Sequence, residues 1–167
     1  MKKLIILFIL LTIFLSGCSI LESDDLKFIT LVKELDTPQK ISDYMICNFT
    51  YEYHASYIDP YILWKTKKGD CSDFAVFAQF IANFHGYKTY KIFINFKGTS
   101  TCPHVLAIYS EDGKYTYSSN QSYYPLYASN FDDIVSHYFI SALPKYELES
   151  YKVYDYDMNI IEQVYND

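Results

Sequence analysis

Residues 67–80 read KKGDCSDFAVFAQF. Phe74, Phe77, Ala78, Ile81 and Phe84 fall on one helical stripe, which Val76 and Phe80 widen. The spacing predicts a strongly apolar helix over about 71–85, closed by Gly86 as its C-terminal cap. Before this stretch every periodic segment reads as helix. One spans about 24–35, with Asp24 and Asp25 favouring its N-terminus. Thr37-Pro38 opens a second through about Phe49, and Asp59-Pro60 opens a short helical turn, PYILWKT. After Gly86 the period changes to two. KTYKIFINF (88–96), HVLAIYS (104–110) and KYTYSSN (114–120) read as strands, with KGTS as a turn. NFDDIVSHYF (130–139) returns to helical spacing with Asn130 as N-cap, and YELESYKVYDYDMNI suggests a final edge strand. Helices first and an antiparallel meander afterwards predict an α+β fold, its sheet packed against the 71–85 helix.

The first twenty residues stand apart from that domain. MKKLIILFILLTIFLSGCSI carries two lysines, an apolar run from Leu4 to Leu15, and then Ser16-Gly17-Cys18. Such a run suits a signal-peptide core better than a membrane span. Its Leu-Ser-Gly-Cys ending resembles a bacterial lipobox. That resemblance implies cleavage before Cys18, a lipid on the Cys18 thiol, and an extracytoplasmic, membrane-anchored lipoprotein. A plain secretory signal or an uncleaved anchor are the alternatives. The expected organisation is a signal peptide over 1–17, a tether over 18–25 and one domain over 26–167.

All 14 basic residues are lysines, against 20 acids. Loss of Lys2 and Lys3 leaves 12 lysines against those 20, a net charge of −8. A negative chain without arginine lacks the forks that grip phosphate, which argues against a nucleic-acid partner. The 19 tyrosines and 12 phenylalanines suit a small core with a tyrosine-rich surface. With Cys18 lipidated, Cys47, Cys71 and Cys102 remain, an odd number for an exported chain. An oxidising compartment permits a Cys47–Cys102 bridge and leaves Cys71 as the natural free thiol.

Cys71 has two readings. As a continuation of the stripe, three residues before Phe74, it is an ordinary buried core cysteine. At a helix N-terminus, its thiolate is stabilised by unpaired N–H groups and its sulfur is reactive. In that reading Gly69 lets the chain turn sharply into the helix, and Asp70 or Ser72 caps it. A nucleophile needs a base, and the base an orienting partner. His85 lies at the far end of the same helix, roughly 20 Å away. His54 and His137 fall in less defined or surface-like segments, whereas His104 opens a strand of the sheet. Two registers are open for the hairpin that follows it. If Glu111-Asp112-Gly113 is a three-residue loop, Ser110 pairs with Lys114 and His104 faces Asn120. If Asp112-Gly113 alone turns the chain, His104 faces Gln121 and Asn120 points to the other side. The three-residue loop, with Gly113 left-handed, is the expectation. A Cys102-x-His104 pair has zinc-like spacing but lacks further ligands.

Gly69-Asp70-Cys71-Ser72-Asp73-Phe74-Ala75, then His104-Val105, then Asn120 on the next strand, resemble the transglutaminase-like superfamily over residues 60–122. The resemblance implies a papain-like core and catalysis through a thioester. Cys71 would be the nucleophile, His104 the general base and acid, and Asn120 the third member, where the superfamily usually has aspartate. It implies peptide or protein substrates, most simply hydrolysis, with amine transfer that cross-links proteins as the alternative. No metal or other cofactor is implied, and a monomer is expected. A non-catalytic surface module that keeps the fold and binds peptide or glycan is the competing class. A structural lipoprotein with Cys71 in its core is a further one.

Overall fold

The computed structural model describes residues 23–53, 55–56, 58–98, 103–142 and 145–166. Cys18, His54 and Cys102 lie outside them, as does the predicted signal peptide. Two compact units divide the chain at Leu31–Val32. Of the first, residues 23–31 are described and contain the opening turns of helix α1 (Asp24–Glu34), where Ser23 Oγ accepts the Leu26 N–H. The second, Val32–Asp167, carries the remaining helices and the sheet.

Capping residues set the helix starts of this unit. Thr37 caps α2 (Pro38–Asn48), with proline at the first helical position and its hydroxyl accepting the Lys40 N–H. Asp59 does the same for α3 (Pro60–Thr66), accepting the Tyr61 N–H at 2.8 Å. A short parallel ribbon joins β1 (Thr50–Tyr51) to β2 (Lys68–Gly69) and delivers the chain into α4 (Cys71–Phe84). Five more strands follow before the last: β3 (Lys88–Phe96), β4 (His104–Glu111), β5 (Lys114–Ser119), β6 (Ser122–Ala128) and, beyond α5 (Phe131–Ala142), β7 (Leu148–Asp155). With β8 (Ile160–Tyr165) they form one antiparallel sheet in the order β6-β5-β4-β3-β7-β8. The fold is α+β, as the sequence predicts.

The two faces of the sheet differ. Tyr90, Ile92 and Ile94 of β3, with Leu106 and Ile108 of β4, pack against Phe131, Ile134, Val135 and Tyr138 of α5. The alternating residues Lys91, Phe93 and Val105 share a cavity with Ser72, Val76 and Phe80, so α4 lies on the opposite face.

Three expectations change. The segment expected as a final edge strand is β7, which pairs with both β3 and β8; the acidic tail forms the edge. Strand β6 carries Pro125 in its middle, which blurs its pattern and which only an edge position tolerates. The β4–β5 turn is the two-residue Asp112-Gly113, both with positive φ (50° and 76°), and Glu111 pairs with Lys114. That geometry matches the right-handed strand twist, which a three-residue loop does not improve on. Every pairing is therefore one residue from the expected register.

Gly69 serves close packing, not a sharp turn. A Cβ there would stand 2.7 Å from Leu63 Cδ1 and 2.9 Å from Asp73 Oδ2. Leu63 is fully buried, and that Asp73 oxygen holds the Asp70 N–H, so neither yields freely. Gly69→Ala is expected to destabilise the protein by about 1–3 kcal/mol. Chemical denaturation would check this, and an unchanged midpoint would refute the packing argument.

Candidate active site

Cys71 is the first residue of α4, and two aspartates hold it there. Asp70, in extended conformation at the N-cap, accepts the Ser72 N–H at 2.9 Å, the Asp73 N–H at 3.4 Å and the Ser72 hydroxyl at 2.7 Å. Asp73 returns the contact, its Oδ2 accepting the Asp70 N–H at 2.8 Å. This is a capping box with aspartate in the place where glutamate or glutamine is usual. The second Asp73 oxygen accepts the Ile58 N–H at 3.1 Å, which ties the segment before α3 to the head of α4. Asp73 is 1% exposed, so its oxygens are committed to the protein rather than to water.

The half-buried Cys71 thiol takes the backbone N–H of Val105. The β4–β5 ladder ends at the Leu106–Ser119 pair, so His104 and Val105 extend past the last residue of β5. The sulfur therefore lies one residue along β4 from His104. His104 stacks on Tyr138 of α5, with ring centroids 5.1 Å apart and planes 5° apart. Its Nε2 is 3.0 Å from Ser119 Oγ. The same serine hydroxyl acts on the phenol of Tyr138, whose pKa burial pushes up to about 12.

The Cys71 thiol thus meets the β4 backbone next to His104, whose ring lies on the α5 face against Tyr138 and Ser119, and Asn120 joins neither. The register shift accounts for this: Asn120 opens the β5–β6 turn with φ 50°, and its Oδ1 is buried without a hydrogen-bond partner. The next residue, Gln121, anchors that turn by donating to the Met45 and Phe49 carbonyls of the α2 region at 3.0 and 2.7 Å. The group on the imidazole is Ser119, one residue earlier, on the face that carries Tyr117 and Leu106. The two-residue turn was the sequence signal that pointed away from Asn120. Tyr138 falls on the Phe131–Ile134–Val135 stripe of its helix, which announced a buried ring without naming its partner.

The other described histidines are occupied structurally. His85 Nε2 lies 2.7 Å from the Val32 carbonyl oxygen, and His137 Nδ1 2.8 Å from the Tyr117 hydroxyl. Cys47 is an exposed free thiol, while its suggested partner Cys102 lies outside the described residues. Among the described residues no group of three or more His, Cys, Asp or Glu side chains is placed to hold a metal ion. No helix among them is long and apolar enough to cross a membrane.

The charges differ from those expected of a helix-terminal thiolate. Burial pushes the Cys71 thiol up from its ordinary value; the Val105 N–H opposes this, and the Asp70 carboxylate adds to it. Burial pulls His104 down to about 4. At neutral pH the resting site therefore holds a neutral thiol and a neutral imidazole, not an ion pair. Beside it lies a groove of about 620 Å³, which begins at Ser72 and Val105 and runs between α4 and β3.

His104 also links stability to pH. Its imidazole titrates at an ordinary 6.5 when unfolded and at about 4 when folded, so the unfolded chain takes up the proton first. This contribution is complete above the unfolded value and declines as pH falls through the window toward the folded one, by at most about 3 kcal/mol. Denaturant melts over that range should show the acid-side loss in the native protein and a shallower slope in His104→Asn. Equal slopes would mean that the imidazole is not buried in its neutral form.

No family model matches this chain, and no curated protein matches it.

Proposed function

We propose that the protein is a lipid-anchored, extracytoplasmic cysteine enzyme with a transglutaminase-like, papain-like core, which forms a thioester on peptide or amide substrates and hydrolyses it. One observation carries the reading: a thiol at the head of a rigid buried helix takes the N–H of Val105, the chain neighbour of His104, whose imidazole Nε2 is held by Ser119. The anchoring part rests on the lipobox-like Leu15-Ser16-Gly17-Cys18 alone.

The mechanism uses the tautomer in which Nε2–H donates to Ser119, which leaves the lone pair on Nδ1 of His104 as the base. The thiol proton passes to Nδ1 as sulfur adds to the substrate carbonyl. The imidazolium then gives that proton to the departing amine as the C–N bond breaks, leaving the acyl group on sulfur. Water, deprotonated by the same imidazole, adds to the thioester; the acid leaves and the proton returns to sulfur. Because the resting pair is neutral, deprotonation accompanies attack rather than preceding it. An amine in place of water gives the cross-linking alternative. The missing ion pair also favours one other reading, a non-catalytic module that keeps the fold.

Intact-mass analysis after incubation with a diverse library of N-acetylated peptide amides separates them. The enzyme reading expects an acyl adduct on Cys71 that hydroxylamine removes, and none in Cys71→Ala. Glycine ethyl ester added as acceptor distinguishes water from amine by the products formed. Adduct formation should fall on the order of 10²- to 10⁴-fold in His104→Ala. It should fall more in Ser119→Ala than in Asn120→Ala. No adduct on the native protein would favour the binding module, and the reverse order of the last two variants would restore Asn120 as the orienting residue.

The electrostatics carry their own check. In a Cys47→Ser/Cys102→Ser background, iodoacetamide should alkylate Cys71 more slowly than it alkylates a free thiol at pH 7, and faster as pH rises. A plateau of fast labelling below pH 7 would instead mean a preformed thiolate–imidazolium pair.

A further inference from the structure

The groove beside Cys71 has an apolar wall and a polar floor. Val76 and Phe80 of α4, Phe93 of β3 and Met158 line it. Between them sit two donors with nothing to bind. Gln79 is 2% exposed and its Nε2 has no hydrogen-bond partner. Lys91 is 8% exposed, and burial alone pushes its ammonium below the ordinary lysine value, with no carboxylate acting against that. The single acidic residue on the lining, Asp59, is exposed at the rim and caps α3. A buried amide N–H without an acceptor is costly in the empty groove, and beside it the largely covered Lys91 has no carboxylate acting on it. One anion with two acceptor oxygens would supply the acceptor that Gln79 lacks and a counter-charge for Lys91.

We propose that this groove is the subsite for an acidic side chain of the peptide substrate. Its carboxylate is taken by Lys91 Nζ and Gln79 Nε2, and its methylenes lie along Val76, Phe80 and Phe93. The groove begins at Ser72 and Val105, the chain neighbours of Cys71 and His104, so a peptide whose acidic side chain fills it passes the thiol. The proposal rests on the cysteine-enzyme reading for what the ligand is, but not for whether a carboxylate binds.

The test is a titration of the full domain with N-acetyl-glutamate amide and, separately, N-acetyl-glutamine amide, which share a shape and differ in charge. Binding is followed by amide and side-chain NMR shifts. The glutamate compound should shift signals of Lys91, Gln79 and Phe93 and bind about tenfold or more tightly than the glutamine compound. Lys91→Met should lose that preference, while Lys91→Arg should keep part of it. Because Lys91→Met exchanges an unpaired buried charge for an apolar side chain of similar length, it should fold and melt at or above the native temperature. Cys71→Ala should bind the glutamate compound as the native protein does. Equal binding of the two compounds, unchanged binding in Lys91→Met, or no shift at any concentration the compounds reach in solution would overturn the subsite. Carboxylate binding without any thioester would instead leave the subsite standing and remove the enzyme reading.

Discussion

The reciprocal contact between Asp70 and Asp73 at the head of α4 is the constraint on which the rest of the site depends. Two buried carboxylates are tolerable only if their oxygens are occupied. Asp70 accepts from the Ser72 and Asp73 backbones and the Ser72 hydroxyl, and Asp73 accepts from Asp70 and Ile58. Those bonds fix the first turn of the helix, the segment that leads into α3 and the space that excludes any side chain at position 69. Cys71 sits in the middle of this arrangement, and its position is set before any contact with β4 is made.

The same contact restrains the chemistry. A helix N-terminus offers a limited set of free N–H groups, and here Asp70 claims two of them. What remains for the sulfur is the Val105 N–H and weaker help from the helix end, set against burial and a carboxylate one residue away. Rigid placement of the thiol and stabilisation of its thiolate draw on the same donors, and the capping carboxylate takes the larger share. On the proposed mechanism, a site built this way depends on its base at the moment of attack. The orientation of His104 therefore matters more than the acidity of Cys71, and Tyr138 and Ser119 restrict that orientation from two directions.

Much of this was legible in local sequence because the signals are local. Thr37-Pro38 and Asp59-Pro60 marked two helix starts, the aromatic stripe marked α4, and period-two runs marked β3, β4 and β5. Register was not legible to the same degree: Glu111-Asp112-Gly113 supports two turns, and the choice moves each β5 side chain by one place. Ser119 rather than Asn120 meets the His104 imidazole for that reason. The neighbours of β7 were hidden because strand order is decided by non-local pairing. The tyrosine content divides between surface and core: Tyr51, Tyr53, Tyr127, Tyr146, Tyr156 and Tyr165 are exposed, as composition suggests. Tyr109, Tyr117 and Tyr151 are almost wholly buried. Their hydroxyls are matched to Ser118 at 2.9 Å, to His137 at 2.8 Å, and to Asp132 and Glu162. A tyrosine with a placed partner is a core residue, and composition does not reveal partners.

That matching sharpens the contrast between the two faces of the sheet. On the α5 face polar atoms enter the core in satisfied pairs, through Tyr117 with His137 and Tyr151 with two carboxylates. On the α4 face Tyr109 and Ser118 are paired, but Gln79 Nε2 and Thr89 Oγ1 are buried without partners and no carboxylate acts on Lys91. An unmatched buried polar group costs about 1–3 kcal/mol, a large part of the roughly 5–15 kcal/mol that holds a domain together. Folding gives no reason for a lysine at position 91, where an apolar side chain would pack against Phe93 at lower cost. The reason lies with what enters the groove from solvent. Gln79 and Lys91 both line the groove proposed as the subsite, so the costly polar groups and the proposed binding surface coincide.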